Sequence, residues 1–551
     1  MRKNKKDIIA NKWLIPLLHI VIAIFWKMYD YHYEELDFLP VYAVNQNMIS
    51  DMGETVLNTF ISWGIGCIII FLFWKLVFDF IEKRDKRILL VLGSAFILTL
   101  LIYPYNFSVE PDNYMTFAYS VRNISEYWQS VYQGCIYSAC LLLFPQPAVI
   151  TFVQLSSFLG CIVFVTGRLK ALYGRIGYIT YSVLLFPEAY RVATNPYRNC
   201  MNTIGYMWLF SVVVLGCLEH RKIFLKQQII LLAAGAFLSV YRSEGILLWI
   251  ILFCLIWWND KGTFYKKIGL VALGCVFYII LLLPQKAGEV KYYGNDYTMI
   301  NEMNVLQAVL TSEEVNLDYD TVLEDMEKIQ TIVPLEYLLT NGINGYRLWN
   351  YTNKGTVNQS LATKQEKQEF IKAARNLERH NIKLVVRYKW NTYCSSNGYE
   401  KNYLYREFND EMNAMITKLG TQSDSGWYDM LGDSFPKGFF CNTLKLNVSL
   451  KIMEITDQYD AWVNKTWIRF IYRNMMYLAF LILCIWQSVM EKKNRMLWVG
   501  TLMTVGGMWG AVFLAAPEGR SEYYYPIFMV TFLVNIILGI KLFREQKNVT
   551  K

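Results

Sequence analysis

The sequence predicts an all-α polytopic membrane protein of about 12 transmembrane helices, with one mainly α or α+β extracytoplasmic domain between spans nine and ten. Three observations predict it. Of 551 residues, 54% are hydrophobic and only 18% charged, a balance beyond that of an ordinary soluble domain. The apolar residues come in blocks of about 15 to 25, the length a helix needs to cross roughly 30 Å of hydrocarbon. The basic residues collect in the short links between blocks, where they mark the cytoplasmic face. The net charge of +9 therefore reports topology, and no soluble basic face for nucleic acid is implied.

The first apolar block, 13–26, follows MRKNKK and lacks a small-residue cleavage site, so it reads as an uncleaved first span. Spans are expected at about 13–28, 56–80, 88–103, 148–166, 176–190, 200–218, 228–242, 245–258, 268–284, 467–489, 496–515 and 523–542. That count returns the C-terminus to the cytoplasmic side. The basic links 82–87, 167–175, 219–226, 259–267 and 491–495 then fall inside, together with the C-terminal tail. Few cations remain at the outer ends: Lys27, Arg122, Arg191, Arg198, Arg242 and Arg520.

Residues 131–144 are apolar but short for a crossing, and as a span they would carry Arg168, Lys170 and Arg175 outside. They are expected as a helix in the outer leaflet, ended by PQP at 145–147. Just upstream, Phe117, Val121, Ile124, Trp128 and Val131 form the apolar stripe of a helix lying along a surface.

The chain thus divides into 1–87 (spans one and two), 88–284 (a membrane core with the acid-bearing outer loop 104–147), 285–466 (the outer domain) and 467–551 (spans ten to twelve). The outer stretch holds most of the acids and a helical region near 362–390, and is large enough for its own core. It contains Cys394 and Cys441, enough for one disulfide but not for a framework. No CxxC motif occurs and the four histidines are scattered, so no metal or other cofactor is indicated.

Four polar clusters are expected on the outer side: Glu110 with Asp112; Glu188, Arg191 and Arg198; Arg242 with Glu244; and Glu518, Arg520 and Glu522, followed by Tyr524. Depth makes them notable. From Gln228 to Arg242 a helix rises about 21 Å, short of the hydrocarbon thickness. The Arg242 turn is therefore sunk below the surface, where an unpaired charge is expensive and usually functional. By the same rise, Glu188 and Arg191 lie in or near the outer leaflet. Each cluster has a plainer reading: Arg242–Glu244 and Arg520 with its acids as ion pairs, Arg191 and Arg198 as lipid anchors, Asp112 as a solvated acid. Arginine's planar fork suits a phosphate in a partly dry site, and a carboxylate beside it can take a proton from an attacking hydroxyl.

In three features the chain resembles the GT-C class of integral membrane glycosyltransferases, in particular the bacterial mannosyltransferase/aminoarabinose-transferase-like proteins of surface-polysaccharide pathways. One is EPDNYMTFAYSVRNISEYW at 110–128, an acid in an outer loop followed by a membrane-hugging helix and a Pro-x-Pro entry into the next span. Another is the alternation of spans with short basic links such as GRLKALYGR. The last is EGRSEYYYPIF at 518–528, similar to the Arg-Tyr-x-x-Pro signature that opens a late span. The resemblance covers most of 85–284 and 467–543 and leaves 285–466 outside.

The resemblance implies transfer from a polyprenyl-phosphate-linked sugar to a glycan or lipid acceptor. It also implies a bacterial plasma membrane, with both termini cytoplasmic and 285–466 extracytoplasmic. It gives Asp112 the role of general base, with Glu110 as rival. Arg520 by motif, and Arg191, Arg198 and Arg242 by depth, become candidates for the donor phosphate, supported by Glu188, Glu244, Glu518, Glu522 and Tyr524. Two other readings stay open. A lipid-linked polysaccharide polymerase or ligase would carry its chemistry in the large outer loop, where His380 is the single histidine. A transporter or flippase would show paired repeats or midplane charges.

Overall fold

An apolar segment in lipid must satisfy its backbone internally, and helices do so residue by residue. The computed structural model describes residues 3–29, 52–103, 106, 130–219, 223–259, 264–292, 296–340, 362–399, 443–465, 467–516 and 519–549, and among them every regular element is a helix. Seven helical stretches are long and apolar enough to cross a membrane: 55–83, 148–185, 198–218, 264–286, 468–490, 495–515 and 521–546. Shorter apolar helices occupy 12–25, 131–143, 225–241 and 243–258.

The membrane part begins with α1 (Lys3–Tyr29), α2 (Met52–Lys83) and α3 (Lys86–Ile102). Next come α4 (Val131–Leu143) and α5 (Ala148–Tyr173). The expected span at 176–190 takes a different form. Gly174 adopts φ 77° and ψ −152°, a conformation essentially reserved for glycine. The chain turns there into a 3₁₀ stretch, Gly174–Leu185, laid back against α5. It bends again at Phe186 into α6 (Pro187–Thr194). Then follow α7 (Arg198–Leu218), α8 (Leu225–Tyr241), α9 (Leu248–Asn259) and α10 (Phe264–Tyr292). α10 runs unbroken through Pro284, so the ninth span continues past the expected boundary at 285.

Of the outer stretch, α11 (Asp296–Leu310), α12 (Val322–Gln330), α13 (Leu335–Thr340), α14 (Lys364–His380) and α15 (Ile382–Ser396) build a small helical unit. Its core is Met303, Leu306, Ile329, Phe370 and Leu377 with their neighbours. The expected helical region near 362–390 is thus two helices broken at Asn381. α14 starts on a capping box in which Glu366 accepts from the Thr363 amide at 2.6 Å and donates its own amide to the Thr363 hydroxyl at 3.2 Å. α16 (Thr443–Lys465) lies against the membrane bundle instead. The chain closes with α17 (Ile468–Met490), α18 (Arg495–Ala515), a 3₁₀ turn Ser521–Tyr524 and α19 (Tyr525–Val549).

α7 and α19 form the centre, packed together and buried nearly all round. The periphery is apolar and exposed, with Leu17 and Phe25 on α1, Ile68 and Leu72 on α2, and Leu478 and Ile482 on α17. A soluble protein rarely exposes so much contiguous apolar surface; here it is the lipid-facing side. α4 has almost no exposed residue and packs against α2, as a helix that is apolar all round should. It begins beside Gln285, whose side chain accepts from the Val131 amide at 2.9 Å, and ends where His19 meets the Leu143 carbonyl at 3.0 Å. Trp74 donates to His19 Nδ1 at 2.9 Å, which leaves Nε2 to donate to that carbonyl. The expected surface helix around 117–131 lies, up to residue 129, outside the described residues.

The two ends of the bundle differ. At the end bearing the basic links, cations are matched: Arg168 with Glu219, Lys541 with Glu491, and Arg544 Nη2 with the Tyr173 carbonyl at 2.6 Å. The end from which 107–129 and 293–466 emerge, called outer below, carries the polar clusters.

Candidate functional site

Glu110, Asp112 and Glu518 lie outside the described residues, as does Cys441; Cys394 is buried in α15. The remaining candidates separate into two groups at the outer end.

The first group forms around Glu188. Pro187 opens α6 at its first position, which places Glu188 in the first turn, where the helix dipole favours an acid. Its carboxylate is fully buried and accepts from Arg473 Nε at 2.9 Å and from the Tyr472 hydroxyl. It also pairs with Arg469 Nε at 3.1 Å and Arg473 Nη2 at 2.8 Å. Arg469 pairs further with Asp460, and Arg191 with Asp457 and, at 4.0 Å, Asp460. Arg473 Nη1 donates to the Ser396 carbonyl at 2.9 Å, capping the negative end of α15. Its guanidinium stands 5.7 Å from the Tyr525 ring centre and 5.6 Å from that of Phe528. Three acids face three arginines, so the group is neutral. Arg191, expected as a phosphate ligand, is already matched by acids.

Arg469, Arg473, Asp457 and Asp460 are absent from the sequence-based candidates, and the six outer cations named above leave out both arginines. A signal existed in WIRFIYR at 467–473, where two arginines four residues apart open an apolar helix on one face.

The second group gathers at the start of α7. Arg198 and Arg242 both stand within electrostatic reach of the Tyr241 hydroxyl. Tyr197, Tyr206 and Tyr523 stand within electrostatic reach of Arg242, and the 521–524 turn packs against α7. Gly245 lets the Arg242 turn fold back on α8, because a Cβ there would collide with the Leu238 carbonyl. Arg242 pairs with Glu244, and Arg520 with Glu522 at 3.4 Å. Arg198 Nε, Arg242 Nη1 and the side-chain amide of Asn199 are enclosed with no hydrogen-bond partner among the described residues. Enclosed polar atoms are normally satisfied, and atoms of the first group, Glu188 Oε2 and Arg473 Nη2, likewise lack a hydrogen bond among the described residues. Three arginines against Glu244 and Glu522 leave the second group one positive charge among the described residues. Tyr524 is buried beside the first group instead, its ring centre 5.5 Å from that of Tyr393.

Both ends of the acid loop are pinned to the chain just before Arg198. Asn106 Nδ2 donates to the Thr194 carbonyl at 3.0 Å and to Thr151 Oγ1 at 2.7 Å. Past the loop, Gln133 Nε2 donates to the Pro196 carbonyl at 2.8 Å, and the Tyr137 hydroxyl bonds the same oxygen. Asp112 lies six residues beyond Asn106, so an extended chain holds it within about 20 Å of that anchor.

Among the described residues no group of three or more His, Cys, Asp or Glu is placed to hold a metal ion. Comparison with protein-family models, curated proteins and solved structures gives no match.

Proposed function

We propose that the chain is a membrane glycosyltransferase of the GT-C kind. It would move a sugar from a polyprenyl-phosphate donor to an extracytoplasmic glycan or lipid acceptor at a bacterial plasma membrane. In this reading the chain crosses twelve times, with both termini in the cytoplasm and 285–466 outside. The observation that carries it is the convergence at 194–198: the two ends of the acid loop and the positively charged Arg198–Arg242 cluster meet there.

The chemistry follows from that meeting. The acceptor oxygen attacks the anomeric carbon and gives its proton to the Asp112 carboxylate, or to Glu110 as rival. The bond from that carbon to the donor phosphate breaks, and the electron pair leaves on the phosphate oxygen. Arg198 and Arg242, at the N-terminus of α7, stabilise the charge as it develops. Arg520 borders the site through Tyr523, with Glu244 and Glu522 in support, whereas Tyr524 packs on Tyr393 by the neutral network. Arg191 and Glu188 belong to the neutral network and hold the scaffold.

The test uses the full-length protein in lipid nanodiscs with radiolabelled undecaprenyl-phosphate hexoses and a panel of glycan acceptors. Asp112→Asn is expected to reduce transfer by about 10²–10⁴-fold while undecaprenyl phosphate still binds. Transfer at the wild-type rate in Asp112→Asn and Glu110→Gln removes the base assignment. Donor-lipid movement without turnover by the wild type replaces the enzyme by a flippase.

A further inference from the structure

α16 joins the outer helical unit to the bundle, and its surface falls into sectors. At about 100° per residue, Ser449, Thr456, Asp460 and Val463 share one side and are buried or partly buried against the protein. On the opposite side Lys451, Glu454 and Gln458 are exposed, with Lys451 and Glu454 paired at 2.8 Å. Between them lies a stripe of Val448, Ile455, Tyr459 and Trp462, 41–55% exposed, spanning roughly 60° of the helix circumference.

The helix lies across the outer ends of the bundle. Ser449 Oγ reaches the Tyr103 carbonyl at 3.5 Å, at the end of α3, and the Tyr459 hydroxyl donates to the Leu185 carbonyl at 3.0 Å. Its last turns supply Asp457 to Arg191 and Asp460 to Arg469. These anchor points all belong to one end of the bundle, so the 23-residue helix, about 35 Å long, runs in the plane of the membrane surface. After Lys465 the chain turns through Trp467, in a left-handed conformation at φ 57°, and descends as α17. Five residues after Trp462 the chain presents exposed Trp467, then Ile471, Met475 and Leu478, on the lipid-facing side of α17.

We propose that α16 is an interfacial helix whose Val448–Ile455–Tyr459–Trp462 face is embedded in the outer lipid leaflet. The exposed apolar residues that follow it in the chain, on the lipid-facing side of α17, select lipid as its occupant. The composition agrees: two of the four residues are aromatic with a polar tip, the side chains that settle at the headgroup level, and the water side carries a charged pair. The bilayer then acts on the buried network, because the helix it grips delivers the two acids that neutralise Arg191 and Arg469.

The experiment introduces a photoreactive benzophenone side chain in place of Ile455 or Trp462, and in place of Glu454 or Gln458 as controls. The full-length protein is held in vesicles of phosphatidylcholine and phosphatidylglycerol, and a wild-type elution profile establishes that each variant folds. Lipid adducts several-fold more abundant at 455 and 462 than at 454 and 458 are expected. Equal or absent lipid adducts at all four positions, or adducts to a second copy of this chain at 455 and 462, overturn the proposal.

Discussion

Replacing Glu188 by Gln tests whether the buried network holds the outer unit on the membrane core. The Glu188 side chain is wholly buried, and its partners Arg469 and Arg473 are 2% and 0% exposed. Gln keeps the shape and one acceptor oxygen but removes the charge that both arginines face. Arg473 then retains the Ser396 carbonyl and, at 3.4 Å, Asn397 Oδ1, neither of which is charged. Breaking one partner out of a buried ion group costs about 3–5 kcal/mol. We expect the thermal midpoint of the purified protein in mild detergent to fall by at least about 5 °C. Amide exchange should rise at 382–399, where Arg473 caps α15. The double variant Glu188→Gln with Arg473→Gln restores electrical balance, so it should lose less than the sum of the single changes, a coupling of about 0.5–3 kcal/mol. A Glu188→Gln protein melting within about 1 °C of wild type, with unchanged exchange at 382–399, would refute the reasoning: the carboxylate would then be solvated and the pairs screened.

Arg242→Met should weaken binding of undecaprenyl phosphate by about 10–100-fold, measured by lipid titration in nanodiscs, because a charge-assisted contact to an anion is worth about 1.5–3 kcal/mol; unchanged affinity places the anion elsewhere. In the outer unit, the Glu378 carboxyl is pushed up to about 8, first by burial and then by the facing Glu302, with Lys389 and Arg375 pulling the other way. A raised carboxyl favours folding while protonated, so its contribution is fully present below its ordinary value near 4.5 and is lost as pH rises through about 8. Lys389, pushed down by burial, contributes with the opposite sign. Protection of α14 from amide exchange should therefore fall between pH 5 and 9, and Glu378→Gln should flatten that profile; an unaltered slope in the variant rejects the assignment. Gly174→Ala forces a Cβ onto φ 77° and ψ −152°, at a cost of about 1–3 kcal/mol, read as a lower midpoint in the same melting assay; an unchanged midpoint means the turn relaxes freely.

The helical blocks were legible because burial in lipid imposes one pattern, length with low charge, that needs no knowledge of partners. Where the form differs from the expectation, a local backbone feature decides it. The 176–190 segment reads as one continuous helix by hydropathy, yet the chain bends at Phe186, before Pro187, into a 3₁₀ stretch and a short helix. The short apolar run from Arg175 to Pro187 draws attention to Glu188 in the sequence, and the structure buries that side chain within the protein. Its partners were not legible, since Arg469 and Arg473 follow more than 280 residues later and are masked by the apolar residues around them. Hydropathy averages over a window, so two arginines on one face of an apolar helix vanish into the mean.

The two outer clusters also differ in charge, and that difference assigns them different work. Around Glu188 three arginines meet three acids, each arginine has an acidic partner, and the group ties α6, α15, α16 and α17 together. A balanced group of this kind has no electrostatic reason to take in another ion, and opening it would strand buried charges. Around Arg242 the balance is unequal: the described cations exceed the described acids by one. Under the proposed function, an incoming anion would stabilise such a cluster. One end of the same bundle therefore holds a charge-balanced set beside a set with an excess positive charge among the described residues, the one to which the proposed function gives the donor phosphate. The second set lies where the acid loop is clamped at both ends, so an anion bound there would lie within the reach of that loop.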